Sequence, residues 1–369
     1  MSEQNADPDV TQKKTDHFPC PSCGGNMHFD PESGNMSCQY CGNVVPFGKR
    51  DDEILEYDLF SAEADGEDGN WGAKTISIKC QNCGAQTAVD KESIAKFCAF
   101  CGSSHILKEQ EVRGIAPESL IPFSITGKKA RESFRAWIRK RFFAPNALRR
   151  ESVFGSLTGA YVPYWTYDAD TYYTFTAQAG DYYYVTQTRY VNGKRQTHQV
   201  RKIRWRFVNG SGQEYFNDVP VSATRKMDGA LVRRLEPFPF AQLVPYQPEY
   251  LSGFVAERYS VSLAEGWGAA KNEIRNRLES IVRRSIHADE VRNIHIVTNY
   301  KQVLYKHLLV PVWISSYQYR GRIYQYIVNG ATGKVAGRTP VSALKVTVAV
   351  LLGLAAVALA VWLYMRFGG

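Results

Sequence analysis

The stretch YVPYWTYDADTYYTF, Tyr161 to Phe175, is aromatic and β-branched through most of its length, the composition that fits a pleated, half-buried surface. Strand-like sequence extends around it from about residue 158 to 220. It is interrupted by Asn192-Gly193, a favoured two-residue hairpin signal, so a twisted antiparallel sheet is expected. The tyrosines between Tyr161 and Tyr190 admit two readings, a stacking platform or a β core. Core is favoured, because tyrosine buries its ring and leaves its hydroxyl wet. Strands resume near Ile294, and Trp313 to Tyr319, the turn Arg320-Gly321-Arg322 and Ile323 to Val328 repeat the hairpin pattern, with a further turn at Asn329-Gly330. Val162-Pro163-Tyr164-Trp165 and Val310-Pro311-Val312-Trp313 echo each other, which raises two related sheet units.

Two helices interrupt this pattern. Ser262 followed by Glu265 has capping-box spacing, and Trp267, Ala270, Ile274, Leu278, Ile281 and Val282 continue as one apolar stripe, predicting a helix over about 262–287. Upstream, Phe134, Trp137, Ile138 and Phe142 recur at helical spacing between Gly127 and Phe143, stopped by Pro145. Lys128, Lys129, Arg131, Arg135, Arg139, Lys140 and Arg141 fill the other faces and form a candidate binding surface for an anionic partner. The fold class is therefore α+β: a mostly antiparallel β body over 158–343 with a few amphipathic helices, preceded by a basic helix region over 112–157.

The first third is of a different kind. All eight cysteines of the 369-residue chain lie there in four C-x-x-C pairs: Cys20, Cys23, Cys38 and Cys41, then Cys80, Cys83, Cys98 and Cys101. Gly24/Gly84, Asp30/Asp90, Glu32/Glu92, Ser33/Ser93 and Gly42/Gly102 repeat in step, marking an internal duplication. Two C-x-x-C turns supply the four thiolates of a tetrahedral zinc site, with a glycine after each turn to let the chain bend. Each set reads as a zinc ribbon with its own structural Zn²⁺, over 18–48 and 75–111, although a crossed pairing of turns stays open. Iron in a rubredoxin-like site is the main rival, and a redox dithiol a lesser one. Four sulfurs leave no position for water or substrate, which disfavours a catalytic metal. His17, His28 and His105 flank the clusters without a vacancy to fill.

Clustered thiols imply a reducing compartment, and the polar, acidic start MSEQNADPDV lacks the features of a secretory signal. Residues 1–17 are read as disordered. The stretch 49–74 is read as an acidic linker, able to dock through Ile54, Leu55, Tyr57, Leu59 and Phe60. At 44% apolar, 22% charged and 13% aromatic, the bulk is soluble and globular. The formal charge of +9 hides two halves: nine basic against nineteen acidic residues up to Glu111, a net of −10, and 36 against 17 beyond it, a net of +19. An acidic ribbon segment repels phosphate, so protein is its expected partner. The basic region suits anionic lipid, nucleic acid with Arg201, Lys202, Arg204 and Arg206 around Trp205, or the acidic arm itself.

Val346 to Met365 holds twenty residues without a charge, about 30 Å of helix and the thickness of a hydrocarbon core. Trp362 and Tyr364 suit an interfacial belt, while Arg338 and Lys345 on the near side place the bulk of the chain in the cytoplasm. A single-pass tail anchor over 346–365 in the inner membrane is expected. Ala349 with Gly353 and Ala356 with Ala360 would permit homodimers through close helix pairing.

The duplicated ribbons CPSCGGNMHFDPESGNMSCQYCG and CQNCGAQTAVDKESIAKFCAFCG, joined to YVPYWTYDADT, LVPYQPEYLSGFVAERY and LVPVWISSYQYRGRIYQYIVNGATGKVAGRTP, resemble bacterial TFIIB-type zinc-ribbon-containing membrane proteins over nearly the whole chain. The resemblance implies zinc-ribbon architecture. Some such proteins are labelled as resembling a primosomal replication helicase, yet Gly330-Ala331-Thr332-Gly333-Lys334 lacks the Walker spacing, and neither G-x-S-x-G nor H-E-x-x-H occurs. The expected function is a non-enzymatic, tail-anchored adaptor that recruits a protein to the membrane. The alternative is a membrane-tethered nucleic-acid-binding protein that uses the basic helix and aromatic strands.

Overall fold

The computed structural model describes residues 18–61, 75–81, 86–90, 106–109, 115–149, 157–191, 194–225, 227, 229–319 and 322–367. The expectations for residues 1–17, for Cys83, Cys98, Cys101 and His105, and for the turn residues Asn192, Gly193, Arg320 and Gly321 lie outside them. Strands β1 (Met27–Asp30), β2 (Asn35–Cys38) and β3 (Val44–Val45) form a small antiparallel sheet. There follow β4 (Tyr57–Asp58), β5 (Thr75–Cys80), β6 (Gln86–Asp90), β7 (Ile106–Glu109) and β8 (Ser119–Leu120). Helix α1 (Gly127–Arg139) leads into the long strands β9 (Thr158–Val191) and β10 (Lys194–Ser222). Then come α2 (Gly229–Leu235), β11 (Val244–Pro245), β12 (Val255–Glu257), α3 (Leu263–Ser285), β13 (Glu290–Tyr319), β14 (Arg322–Asn329), β15 (Val335–Gly337) and α4 (Ala343–Phe367).

Strands β4 to β15 make one twelve-stranded sheet on the path β11-β8-β13-β9-β12-β6-β5-β7, with β10 beside β9, β4 and β14 beside β13, and β15 beside β14. The class is α+β with a mostly antiparallel sheet, as expected. Parallel pairing occurs, among the described residues, between β8 and β13 and between β12 and β9. Register shifts at Phe216/Val219, Arg292/His295 and Tyr300/Gln302 bend the long strands, and Asp218 (φ 50°) and Asn293 (φ 53°) take left-handed backbone there.

The two Val-Pro motifs meet face to face: Val162 pairs with Val310 across β9 and β13. Around that pair the body repeats itself. Ser119 and Leu120 run parallel to Leu308 and Leu309, just as Val255 and Ala256 run parallel to Ala160 and Tyr161. Trp313 Nε1 donates to the carbonyl of Ile125 at 2.7 Å, and Trp165 Nε1 to that of Val261 at 2.9 Å. Ser124 and Ile125 N–H both donate to the Gly330 carbonyl, and Ser260 and Val261 N–H to that of Ala223. Thr126 caps α1 and Ser262 caps α3. Each half therefore consists of a short strand, a helix and a long hairpin, and its short strand and helix are lent to the hairpin of the other half.

Helix α3 starts at the capping box expected from sequence, with Ser262 and Glu265 bonded reciprocally. It packs Trp267, Ala270, Ile274, Leu278 and Val282 onto Tyr167, Tyr173 and Phe216. Helix α1 buries Ala130, Phe134 and Ile138 against Tyr317, Tyr326 and Val328, with the Phe134 and Tyr326 rings stacked at 3.6 Å. It is shorter than the apolar spacing predicts. The backbone leaves the helix at Lys140, ahead of Pro145, so Phe142 is not on the buried stripe but 68% exposed. The tyrosine run divides likewise: Tyr161, Tyr164, Tyr167 and Tyr173 are core, whereas Tyr172 and Tyr184 face solvent.

Helix α4 extends the expected span at both ends to 25 residues, and none of it is buried against the rest of the protein. It is long and apolar enough to cross a membrane.

Candidate metal centre

The first cysteine set closes on itself. Cys20 and Cys23 precede β1, Cys38 ends β2, and Cys41 lies in the turn before β3, so one tight sheet brings the two C-x-x-C turns together. In the first turn Gly24 N–H donates to the Cys20 carbonyl at 2.8 Å and Cys20 N–H to that of Gly25 at 2.7 Å. The second turn repeats this, with Gly42 donating to Cys38 and Cys38 to Asn43, both at 2.9 Å. Both turns close on left-handed glycines, Gly24 at φ 73° and Gly42 at φ 74°, where a Cβ would be strained.

The four Sγ atoms lie within 4.8 Å of one another, with Cys20–Cys41 at 3.6 Å and Cys23–Cys38 at 3.5 Å. A tetrahedral ion with metal–sulfur bonds of about 2.3 Å needs sulfurs roughly 3.8 Å apart, so the donor set fits one metal ion. Disulfide-bonded sulfurs would stand near 2.05 Å, and these cysteines are free. Cys20 and Cys38 are buried, while Cys23 and Cys41 face outward.

The surroundings favour thiolate at Cys20 and Cys38. Burial opposes ionisation of Cys20, but N–H groups of Ser22 and Cys23, with Cys41 and Asn43, outweigh it and bring the thiol down to about 6. The N–H of Cys41, against burial and with that of Tyr40, lowers Cys38. Cys23 receives the Gly25 N–H, yet crowding by Cys41, Cys38 and Cys20 pushes it up to about 12. A divalent cation relieves that crowding, because it displaces the remaining protons. His28 stays outside the sulfur set, bonded through Nδ1 to Gln39 Nε2 at 3.0 Å and packed against Gly253.

The ribbon is built into the body. Phe29 N–H donates to the Ser252 carbonyl at 3.0 Å, and Ser252 Oγ returns a bond to the Met27 carbonyl at 2.7 Å. Phe29, Phe47 and Tyr250 form a mutual edge-to-face cluster with centroids 5.0–6.2 Å apart. Gln247 accepts from Arg50 N–H and donates to the Gly48 carbonyl. Of the second set, Cys80 ends β5 and the other three cysteines lie outside the described residues. Its backbone nevertheless repeats the first: Lys79 pairs with Gln86 as Pro19 pairs with Asn26. Strand β6 then pairs with β12 through Ala88–Ala256 and Thr87–Glu257. The first cysteine set and strand β6 thus lean on adjoining parts of one body segment, 252–257.

The acidic stretch also docks. β4 pairs with Leu304 and Tyr305, Leu59 is fully buried beside Trp165, and Tyr57 donates to Glu118 at 2.6 Å. Lys306 Nζ sits between Glu56 at 2.7 Å and Asp218 at 2.8 Å, and Asp218 N–H donates to Asp168 at 2.8 Å. No sequence period marks this cluster, since its members come from three strands and the loop before β4.

The seven cations proposed for an anionic partner fall into groups. Lys128 and Lys129 are exposed in the first turn of α1. Arg131 and Arg135 lie along it near the Tyr326 hydroxyl. Arg139, Lys140 and Arg141 are exposed at its far end, about 15–20 Å from the first pair. Sequence reasoning missed what the last three adjoin: Lys345 Nζ at the start of α4 donates to the carbonyls of Phe142 at 3.0 Å and Ala144 at 2.8 Å.

No family model and no solved structure matches the chain. It is 31% identical over 332 residues to YdjG of Bacillus subtilis (strain 168), a protein described as uncharacterised, across 89% of this chain and 91% of that one. At that identity and coverage, the chain belongs to the YdjG family.

Proposed function

We propose that the protein is a non-enzymatic adaptor, tail-anchored in the inner membrane with its bulk in the cytoplasm, whose zinc ribbons recruit a protein partner. The observation that carries this reading is the four-sulfur set of Cys20, Cys23, Cys38 and Cys41, which would fill the shell of a zinc ion and leave it a structural role. The second set, Cys80, Cys83, Cys98 and Cys101, would hold a second zinc ion. At the rim of the first site Tyr40 stands 82% exposed between the metal-ligand candidates Cys38 and Cys41, an aromatic anchor suited to a protein interface. Helix α4 supplies the anchor.

The purified full chain is expected to carry two zinc equivalents, and the protein in cells is expected to resist alkaline extraction from membranes until α4 is deleted. Iron in place of zinc, fewer than two equivalents, or a soluble full-length protein would each reject the corresponding part. Tyr40→Ala is expected to keep both metals and lose the partner recovered by crosslinking from membranes.

A second reading, nucleic-acid binding, draws on one feature. Beyond the start of β13, the β9–β10 hairpin continues as two strands on which Arg201 stacks over Tyr182 at 4.3 Å and Arg204 over Tyr183 at 5.3 Å. Phosphate binding there would weaken steeply with salt. Absence of binding by the detergent-solubilised chain at low salt rejects it.

A further inference from the structure

We propose that the end of α1 and the loop after it, Arg139 to Phe143, form a platform that seats on anionic phospholipid where α4 enters the bilayer. The proposal rests on the reading of α4 as a membrane span, and it adds a lipid-binding surface to the body outside that span.

The loop is fastened to the first turn of α4. Lys345 Nζ donates to Phe142 O at 3.0 Å, to Ala144 O at 2.8 Å and to Asn146 Oδ1 at 2.8 Å, and Ser342 N–H donates to Phe143 O at 2.8 Å. Whatever depth α4 sets, the loop shares it. Phe142 and Phe143 stand 68% and 44% exposed, edge to face at 5.3 Å, beside the first exposed apolar residues of α4, Leu344 and Val346. Two adjacent phenylalanines left in water at that level are explained by an occupant that is apolar on one side. Next to them in the chain Arg139, Lys140 and Arg141 are exposed, with Arg141 stacked over Trp137 at 4.6 Å. Exposed aromatic rings fastened to the first turn of a span, with cations next to them, suit the boundary between acyl chains and phosphates in a leaflet. A nucleic-acid duplex would satisfy the cations alone, and a single strand stacked on the rings would not account for their fastening to the first turn of α4. Among the described residues, the carboxylates found in ion pairs serve other cations: Glu273 and Glu279 serve arginines of α3, Glu265 serves Arg225, Asp181 serves Arg206, and Glu56 and Asp218 serve Lys306.

The full-length protein, with the photo-crosslinker p-benzoylphenylalanine at Phe142, Val350 or Phe207, is reconstituted into vesicles of phosphatidylcholine with a one-quarter share of phosphatidylglycerol. Lipid adducts are expected at Phe142 and Val350 and not at Phe207, which is exposed on β10. Arg139→Gln, Lys140→Gln and Arg141→Gln together, or omission of phosphatidylglycerol, are expected to cut the Phe142 adduct on the order of fivefold while leaving the Val350 adduct unchanged. Adducts at Val350 without Phe142 overturn the platform and leave the span standing. No adduct at Val350 overturns the span, and the platform with it. A Phe142 adduct indifferent to charge overturns the anionic specificity. Capture of nucleic acid in place of lipid at Phe142 in cells overturns the proposal in favour of the rival polymer.

Discussion

His307 lies fully buried between Trp165 and Tyr259, its ring 4.7 Å and 5.5 Å from theirs, with Nδ1 bonded to the Ile115 carbonyl at 2.9 Å. Burial lowers its pKa to about 4, against the weaker pull of the Ile115 and Ala116 backbone. The unfolded chain takes up a proton near pH 6.5 while the folded one resists it, so this residue's contribution to stability is whole above pH 6.5 and falls as pH drops towards 4. The total loss is about 3 kcal/mol. His307→Gln is expected to flatten that part of the profile, measured as the change in denaturation midpoint between neutral and mildly acidic buffer. An unchanged slope would place the acid sensitivity in the carboxylates. The tryptophans of the two motifs make a separate test. Trp313→Phe leaves the Ile125 carbonyl without its indole donor, and Trp165→Phe does the same to Val261. Each change is expected to cost about 1–3 kcal/mol, and near-equal losses would match their equivalent positions.

Among the elements, α3 was readable because each of its signals is local: a cap three residues from its partner and an apolar stripe at helical period. Ser262→Ala removes the side-chain acceptor for Glu265 N–H and is expected to lower stability by about 1 kcal/mol, seen as a shift in melting temperature. The end of α1 was misread for an equally physical cause. Phe142 continues the apolar spacing, but Pro145 and the carbonyls claimed by Lys345 pull the chain out of helix before it, and neither contact lies within the helix itself. Strand identity in β9, β10 and β13 was legible from composition. The exchange of short strands between halves was not, because Ser119 meets Leu308 and Val255 meets Ala160 across long separations that leave no local period. Only the Val162 and Val310 motifs hinted at it. The cysteine set shows the opposite case: its spacing carried the geometry of the site, while the docking of that site on Tyr250 and Ser252 had no sequence signature.

At the scale of the molecule, that docking decides what the metal would stabilise. Cys20, Met27, Phe29, Met36 and Cys38 share one core with Leu120, Phe123, Tyr161, Tyr250 and Leu309, so the ribbon is part of the body and not a free arm. Acidic and basic halves meet inside it too, at Lys306 between Glu56 and Asp218. A unit too small to hold a hydrophobic core of its own would depend on the metal it binds, and loss of that metal would strip Tyr250 of the Phe29 and Phe47 rings. Chelation of the full chain in detergent is therefore expected to lower the melting temperature of the body itself, read from the fluorescence of buried tryptophans such as Trp165, and not only to melt a separate small unit. Phe29→Ala weakens the contact with Tyr250 and Phe47 while leaving the four sulfurs in place. It is expected to cost about 3–5 kcal/mol and to shrink the chelator's effect on the body at unchanged metal content. A body transition indifferent to chelation would show that the segment 252–257 holds its shape without the cysteine-bearing sheet, and that metal site and body are energetically separate.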